Sequence, residues 1–319
     1  MTRDDEPVFS FVLPAYNERP NLEHMTRRLV EVGEGLGKPF EILWVNDGST
    51  DGTDEALDEL AEADGRIRAI HFTRNFGHMA ALTAGLEGAR ATGAVICMDA
   101  DGQHPPELIP EMVKRWRDGH EIVQTVKTKM GGETALQRGA KKLFIQIMKR
   151  LAEVELPEGA ADFRLLDREA VDAINGLPER VRFVRGLVCW VGFRTETIEF
   201  EAPDRHAGER KYTLWSLFLL AINGITSFST RPLRISLALG FAMTSLAFLY
   251  ATFVLGAFFL GVELEPRGWS STLVTIVGIG GMQLVALGIV SEYLARLYTE
   301  VKNRPVYLAR RPSRKKSAG

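Results

Sequence analysis

The segment Met98-Asp99-Ala100-Asp101-Gly102-Gln103-His104 carries an oxygen-bearing side chain at every second position. In an extended chain, Asp99, Asp101 and Gln103 therefore present their oxygens on one side. Carboxylate and amide oxygens are hard ligands of the kind that hold Mg²⁺ or Mn²⁺, often together with substrate phosphates. A cation so held acts as a Lewis acid and neutralises charge that develops on a departing phosphate. Two further runs share this polar character: Leu13-Pro14-Ala15-Tyr16-Asn17-Glu18 and Val45-Asn46-Asp47-Gly48-Ser49-Thr50-Asp51. Taken singly, the second is also what a turn followed by a helix cap looks like, since Asp and Ser favour both.

The elements around these runs decide between the readings. From Val8 to about Val126, short apolar runs alternate with helical patterns. Strands are expected at Val8–Leu13, Phe40–Val45, Ile67–Phe72, Ala94–Met98 and Glu121–Thr125. Helices are expected at Asn21–Gly33, Asp54–Ala63, Met79–Ala91 and Pro106–Arg117. Continuous apolar strands alternating with helices point to a mostly parallel sheet covered on both faces. Ligands bind such sheets beyond the carboxyl ends of the strands, and all three polar runs lie there. Acidic exits gathered on one edge would repel one another unless they served a cation or polar ligand. The set therefore reads as a binding edge. No GxGxxG follows the first strand, so a dinucleotide-binding oxidoreductase lacks its fingerprint.

The chain has 319 residues, with 41 acidic against 39 basic side chains, so no overall pull toward nucleic acid is expected. Its two cysteines, Cys97 and Cys189, lie among apolar residues and read as reduced core residues. No cleavable leader is read before the first strand, so the front domain is expected to stay in the cytoplasm. The last third differs in kind. Ile235–Val262 and Gly268–Ser291 contain no charged side chain, and each exceeds the ~20 residues that cross a bilayer as a helix. Arg231 and Arg234 stand before this pair, and Arg296, Lys302, Arg304, Arg310 and Arg311 follow it. The positive-inside rule then puts both ends in the cytoplasm and the Glu263–Arg267 link outside. Tyr212–Thr230 is also charge-free but carries more hydroxyl and amide groups, and reads as an interfacial helix. The expected layout is a front domain over 1–211, the interfacial helix over 212–230, a hairpin over 231–296 and a basic tail over 297–319. The hairpin's spans fall at about 235–262 and 268–291.

In order along the chain, these segments resemble the nucleotide-sugar signature of family 2 glycosyltransferases, which have the GT-A (Rossmann-like) fold. Thr73-Arg74-Asn75-Phe76-Gly77, Ala161-Asp162-Phe163-Arg164-Leu165 and the paired spans resemble the polyprenyl-phosphate branch of that family. That branch includes dolichyl-phosphate mannose synthases and bactoprenol glucosyltransferases. The Asp-x-Asp alone is a weak signal; the ordered set ending in a hairpin is a specific one.

The resemblance implies a membrane enzyme that moves one sugar from a UDP- or GDP-sugar to undecaprenyl or dolichyl phosphate, inverting the anomeric centre. It assigns Asp101 and Gln103 to a Mg²⁺ or Mn²⁺ ion, and Asp99 with Ala100 to the nucleotide and its metal. Pro14, Ala15, Tyr16, Asn17, Glu18 and Asp47 are expected around the nucleoside. His104 stands where many relatives carry Asp, and is expected behind the metal site or facing solvent. Arg205-His206-Ala207-Gly208-Glu209-Arg210-Lys211-Tyr212 resembles the family's R-x-x-G-x-S-K-Y loop, with Arg210 in place of Ser. Arg205 and Lys211 are thus expected to clamp the diphosphate. A basic cluster of Lys127, Lys129, Arg138, Lys141 and Lys142 could meet the acceptor phosphate or lipid headgroups, with Lys129 and Arg138 the candidates for the former. Relatives would make Asp162 the catalytic base, with Arg164 beside it. A phosphate monoester, with a second pKa of about 6, is already mostly dianionic at neutral pH, which leaves orientation of the acceptor or of Arg164 as the alternative role for Asp162. The resemblance also admits a homo-oligomer, a tetramer. A processive polysaccharide synthase would carry a Q-x-x-R-W motif and more spans. Outside the enzyme class, the alternative is a membrane-anchored nucleotide-sugar-binding or flippase-associated component.

Overall fold

The computed structural model describes residues 6–127, 160–201, 229–261 and 269–310. Seven strands form one sheet: β1 (Phe9–Ala15), β2 (Phe40–Asn46), β3 (Ile67–His71), β4 (Ala94–Cys97), β5 (Ile122–Lys127), β6 (Ala160–Asp167) and β7 (Thr195–Phe200). Their order across the sheet is β3-β2-β1-β4-β6-β5-β7. Neighbours pair in parallel except at β6, which runs antiparallel to both β4 and β5.

Period-two alternation divides the strand residues between two apolar layers. Phe9, Phe11, Leu13, Ile42 and Trp44 pack on one face with Leu22, Met25 and Leu29 of α1 (Arg19–Gly35), Leu57 of α2 (Thr53–Ala63) and Met112 and Val113 of α4 (Ile109–Arg117). Val12, Leu43 and Val95 face the other way. They meet Leu82 and Leu86 of α3 (His78–Gly88), Val171 and Ile174 of α5 (Arg168–Asn175), and Val184 and Val188 of α6 (Val184–Trp190). Both faces of the central strands are dry, which is why their sequences are continuously apolar.

All five strands and four helices expected over Val8–Val126 are present, with ends displaced by a few residues. β6, β7, α5 and α6 complete the sheet from a part of the chain where the pattern named no elements. β6 matters most to the site. Its register pairs Arg164 with Cys97 of β4 and Gln124 of β5. Being antiparallel, β6 begins where β4 ends, so Asp162 arrives at the edge that Asp99 leaves. Cys97 is buried and Cys189 half-buried, and both are free thiols.

Two long helices follow, α7 (Arg231–Phe259) and α8 (Trp269–Lys302). Both contain windows apolar enough to cross a membrane, with mean hydropathy 1.8 and 1.5, and none of either window is buried against protein. The core helix of a soluble protein would bury that surface; here Phe241, Phe248, Leu284 and Leu287 stand exposed. Such a surface belongs in lipid, and the chain is membrane-associated. α8 continues to Lys302, past the charge-free run that ends at Ser291, so its last turns emerge from the apolar layer. Residues 297–302, expected within a tail, are helical. The expected interfacial helix over 212–230 lies almost wholly outside the described residues.

Candidate active site

The exits of β1 and β2 are stitched to each other. Asn17 takes a left-handed φ of 57°, which Asn tolerates better than most residues. Its amide donates to Ser49 Oγ (2.9 Å), and its Oδ1 accepts from the Thr50 amide (2.9 Å). The Glu18 amide donates to Thr53 Oγ1 (3.2 Å). Pro14 and Ala15 are buried in the sheet, leaving Tyr16 as an exposed ring on the rim. Asp47 is buried, and its two oxygens accept from the amides of Phe76 (2.7 Å) and Gly77 (2.9 Å). It therefore fixes the Thr73–Gly77 loop. Burial pushes its carboxyl up, while those two amides work against the shift.

Gly48 makes this contact between loops feasible. Its φ is 68°, and a Cβ there would lie 2.3 Å from Arg74 C and 2.6 Å from Asn75 N. Only glycine satisfies both demands.

Beyond β4, Asp99, Asp101 and Gln103 are half-buried and Ala100 is buried. The Gln103 amide donates to Asp101 Oδ1 (3.0 Å), and Lys127 Nζ donates to Gln103 Oε1 (3.1 Å). His104 is buried, not solvent-facing. It stacks on Phe163 (centroids 5.3 Å apart), and its Nδ1 accepts from the Asp99 amide (2.9 Å). That bond puts the imidazole proton on Nε2, and burial lowers the ring's pKa, so His104 is a neutral brace behind Asp99. Glu18 feels the same acids from across the edge. Burial pushes its carboxyl up, and the charges of Asp101, Asp51 and Asp99 push further, against a bond from Asn21. The binding edge thus concentrates negative charge, as a cation site requires.

Asp162 sits at the opposite electrostatic extreme. Arg185 donates to it through Nε (2.8 Å, to Oδ1) and Nη2 (2.5 Å, to Oδ2), and Arg164 Nη2 donates to Oδ1 (2.7 Å). His78 Nε2 lies 3.2 Å from Oδ2 and 3.6 Å from Asp99 Oδ1. Burial works to raise the carboxyl's pKa; Arg185, His78 and Arg164 overcome it and hold the group well below the usual carboxylate range. Arg164 is as deeply buried as its partner.

His78, Asp99 and Asp162 offer ligand atoms within 4.8 Å of one another and could hold a metal ion. The occupancy of Asp162 by two guanidinium groups argues that a cation would favour Asp99 and its neighbours instead. His78 and Arg185 were not singled out from sequence. The signal for His78 was its place directly after Thr73–Gly77; nothing local marks Arg185, which only the fold carries to Asp162. Lys129, Arg138, Arg205 and Lys211 lie outside the described residues.

The model of glycosyl transferase family 2 matches residues 10–174, more than half of the chain. This chain is a family 2 glycosyltransferase. Among relatives of this glycosyltransferase is an uncharacterized glycosyltransferase of Synechocystis, 43% identical over 300 residues, covering 94% of this chain and 93% of that protein. A prophage-derived bactoprenol glucosyl transferase of Shigella flexneri is 37% identical over 306 residues, covering 96% and 98%. A prophage bactoprenol glucosyl transferase homolog of Escherichia coli K12 is 37% identical over 304 residues, covering 95% and 98%. The family 2 match spans β1 to α5, so it includes both the acidic edge and Asp162.

Proposed function

We propose that this glycosyltransferase moves a single sugar from a nucleotide-diphosphate donor to a polyprenyl phosphate, with inversion at the anomeric carbon and release of the nucleoside diphosphate. UDP-glucose or a similar UDP-sugar is the favoured donor and GDP-mannose the alternative. One observation carries this reading: an acidic edge suited to a metal–diphosphate and two helices that only lipid can cover belong to the same chain. The bactoprenol glucosyl transferase names of relatives aligned over nearly the whole chain support the acceptor class and the glucosyl donor.

In this reading Tyr16, Asn17 and Glu18 line the nucleoside, with Pro14 and Ala15 supplying backbone, and Asp47 acts by fixing the Thr73–Gly77 loop beside it. Asp99, Asp101 and Gln103 would hold Mg²⁺ or Mn²⁺. The ion supplies Lewis-acid stabilisation of the leaving diphosphate. Arg205 and Lys211 clamp that diphosphate, and Lys129 and Arg138 meet the acceptor phosphate.

Asp162 serves as an orienting anion. A general base works best with a pKa near the working pH, and this carboxylate is held far below it. The acceptor needs little deprotonation in any case, because its phosphate is already largely dianionic. Asp162 instead fixes Arg164, Arg185 and His78, three cationic or proton-bearing groups that would otherwise repel one another. The catalytic domain faces the cytoplasm, where nucleotide sugars are made.

The test is to incubate the purified, membrane-reconstituted protein with radiolabelled UDP- and GDP-sugars and undecaprenyl or dolichyl phosphate. We expect lipid-linked label from UDP-glucose, with the anomeric configuration opposite to the donor's. Absence of any lipid-linked product across that panel would overturn the reading in favour of a binding component.

A further inference from the structure

The end of α8 returns to the catalytic sheet. Asn303 leaves the helix with a φ of 49°, and its Oδ1 accepts from Arg180 Nε (2.8 Å). One turn earlier, the Glu300 carboxylate accepts from the amides of Arg180 and Val181. The chain then crosses the exit of β3 and forms a single antiparallel bridge there. The Thr73 amide donates to Leu308 O (2.9 Å), and the Arg310 amide donates to His71 O (2.7 Å), with Phe72 and Ala309 directly opposed. Arg310 reaches Asp54 (3.2 Å), and Tyr307 OH donates to Glu87 Oε2 (2.8 Å).

The consequence lies in what Tyr307 touches. Its ring stacks on Phe72 with centroids 4.8 Å apart and planes 14° from parallel. Phe72 in turn meets Phe76 edge-on at 5.7 Å. Phe76 and Gly77 are the two residues whose amides bind Asp47, and the next residue is His78, on Asp162 and Asp99. Val306 and Tyr307 also pack into the cluster that buries Ala80, Ala81 and Ala84 of α3. The Thr73–Gly77 loop is held from one side by Asp47 and from the other by a segment that begins at the end of a membrane-length helix.

We propose that the strap Arg304–Arg310 is a positioning element for transfer, with Tyr307 as its anchor: it sets Phe76–His78 in the geometry that brings His78 to Asp99 and Asp162. It also fixes the height of that site relative to the bilayer, because only Asn303 separates the strap from α8. Reacting groups tolerate little displacement, and misplacement by about 1 Å can cost on the order of 10²-fold in rate.

The test uses the full chain in lipid nanodiscs, comparing wild type with Tyr307→Ala and Tyr307→Phe by transfer kinetics and by amide hydrogen exchange. For Tyr307→Ala we expect turnover at saturating donor to fall about 10- to 100-fold. Donor KM should rise by a smaller factor than turnover falls, since Asn17, Glu18 and Asp101 are untouched and only the Thr73–Gly77 side of the proposed nucleoside site is loosened. Exchange at Phe76 and Gly77 should rise while the amides of β1 and β2 stay protected. Tyr307→Phe keeps the stack, loses only the Glu87 bond, and should retain turnover within about threefold. Should Tyr307→Ala fail to fold, Arg310→Pro, which removes the amide bonded to His71 together with the Asp54 ion pair, is expected to give the same selective changes, and Arg310→Ala, which loses the ion pair alone, is expected to give little change. Wild-type turnover in Tyr307→Ala or Arg310→Pro, equal loss of protection throughout β1 and β2, or a Phe variant as impaired as Ala would overturn the proposal. The kinetic arm rests on the transfer reading above. The exchange arm needs no substrate, so inactivity of wild type on every donor would sink that reading while exchange alone still decides whether the strap holds the loop.

Discussion

At the scale of single residues, the site separates two kinds of carboxylate by what surrounds them. Asp99 and Asp101 lie half-buried on an edge where acids press on one another, while Asp162 is enclosed by two guanidinium groups and an imidazole. The first kind can recruit a cation; the second already has its counter-charges. We expect Asp101→Asn to abolish transfer while leaving the thermal unfolding midpoint near wild type, and EDTA to abolish it reversibly. Full activity in EDTA would remove the metal assignment. Asp162→Asn should behave differently. It leaves the buried Arg164 charge without its carboxylate, a change that costs about 3–5 kcal/mol of stability for buried pairs, measurable by denaturant unfolding at pH 7. Because the folded pKa is depressed, the carboxylate's contribution is complete above the ordinary Asp value of about 3.9 and is lost only as pH falls toward the folded one. Wild-type turnover and stability should therefore show no Asp162 titration between pH 7 and 9. The variant's single-turnover rate should stay low across that range. A rate climbing roughly tenfold per pH unit would restore Asp162 as a general base.

At the scale of elements, the site depends on two loops from different strands meeting at backbone distance. Gly48 in the β2 exit touches Arg74 and Asn75, and Asp47 beside it bonds Phe76 and Gly77. Gly48→Ala would impose a left-handed φ on a residue with a Cβ, at about 1–2 kcal/mol, and drive that Cβ into main-chain atoms that cannot rotate aside. The expected outcome is a lower unfolding midpoint together with weaker UDP binding by calorimetry, since the same loops frame the nucleoside. A variant with wild-type stability and affinity would show that the loops can part without consequence. The antiparallel β6 is the other decisive element. A parallel strand in its place would start at the far end of the sheet and carry Asp162 away from Asp99.

At the scale of the molecule, the catalytic sheet is joined to the two long helices at the end of α8, and α8 is tied in turn to the start of α7. Tyr293 OH in α8 donates to Ser229 O just before α7, and the strap ties the other end to β3. From the charge distribution around the two helices we propose that both of their outer ends lie in the cytoplasm. In cells, a cysteine placed at Arg267 should react with a membrane-impermeant maleimide added outside, and one at Gly319 should not. The reverse pattern would put the catalytic domain on the wrong side for cytoplasmic donors.

What the sequence determined by itself is what local periodicity and composition can encode. Continuous apolar runs specified the doubly covered strands, the alternating Asp99-x-Asp101-x-Gln103 marked the acidic edge, and long charge-free runs marked the membrane helices. Each of these signals is complete within a dozen or two neighbouring residues. Of the partners of Asp162, Arg164 was legible two residues along the chain, but Arg185 and His78 were not. Arg185 is 23 positions away in the chain and His78 is 84 positions away, and each meets Asp162 only because β6 is inserted antiparallel beside β4. His104 was expected behind the metal site or facing solvent; its burial against Phe163 and Phe200, which decides for the former, comes from a strand pairing that no local pattern announces. The strap was legible only as a basic tail, because Tyr307 acquires its meaning from Phe72, more than two hundred residues earlier. Contacts between distant segments follow from strand order and register, and those are settled by how the whole set of apolar faces can be buried at once.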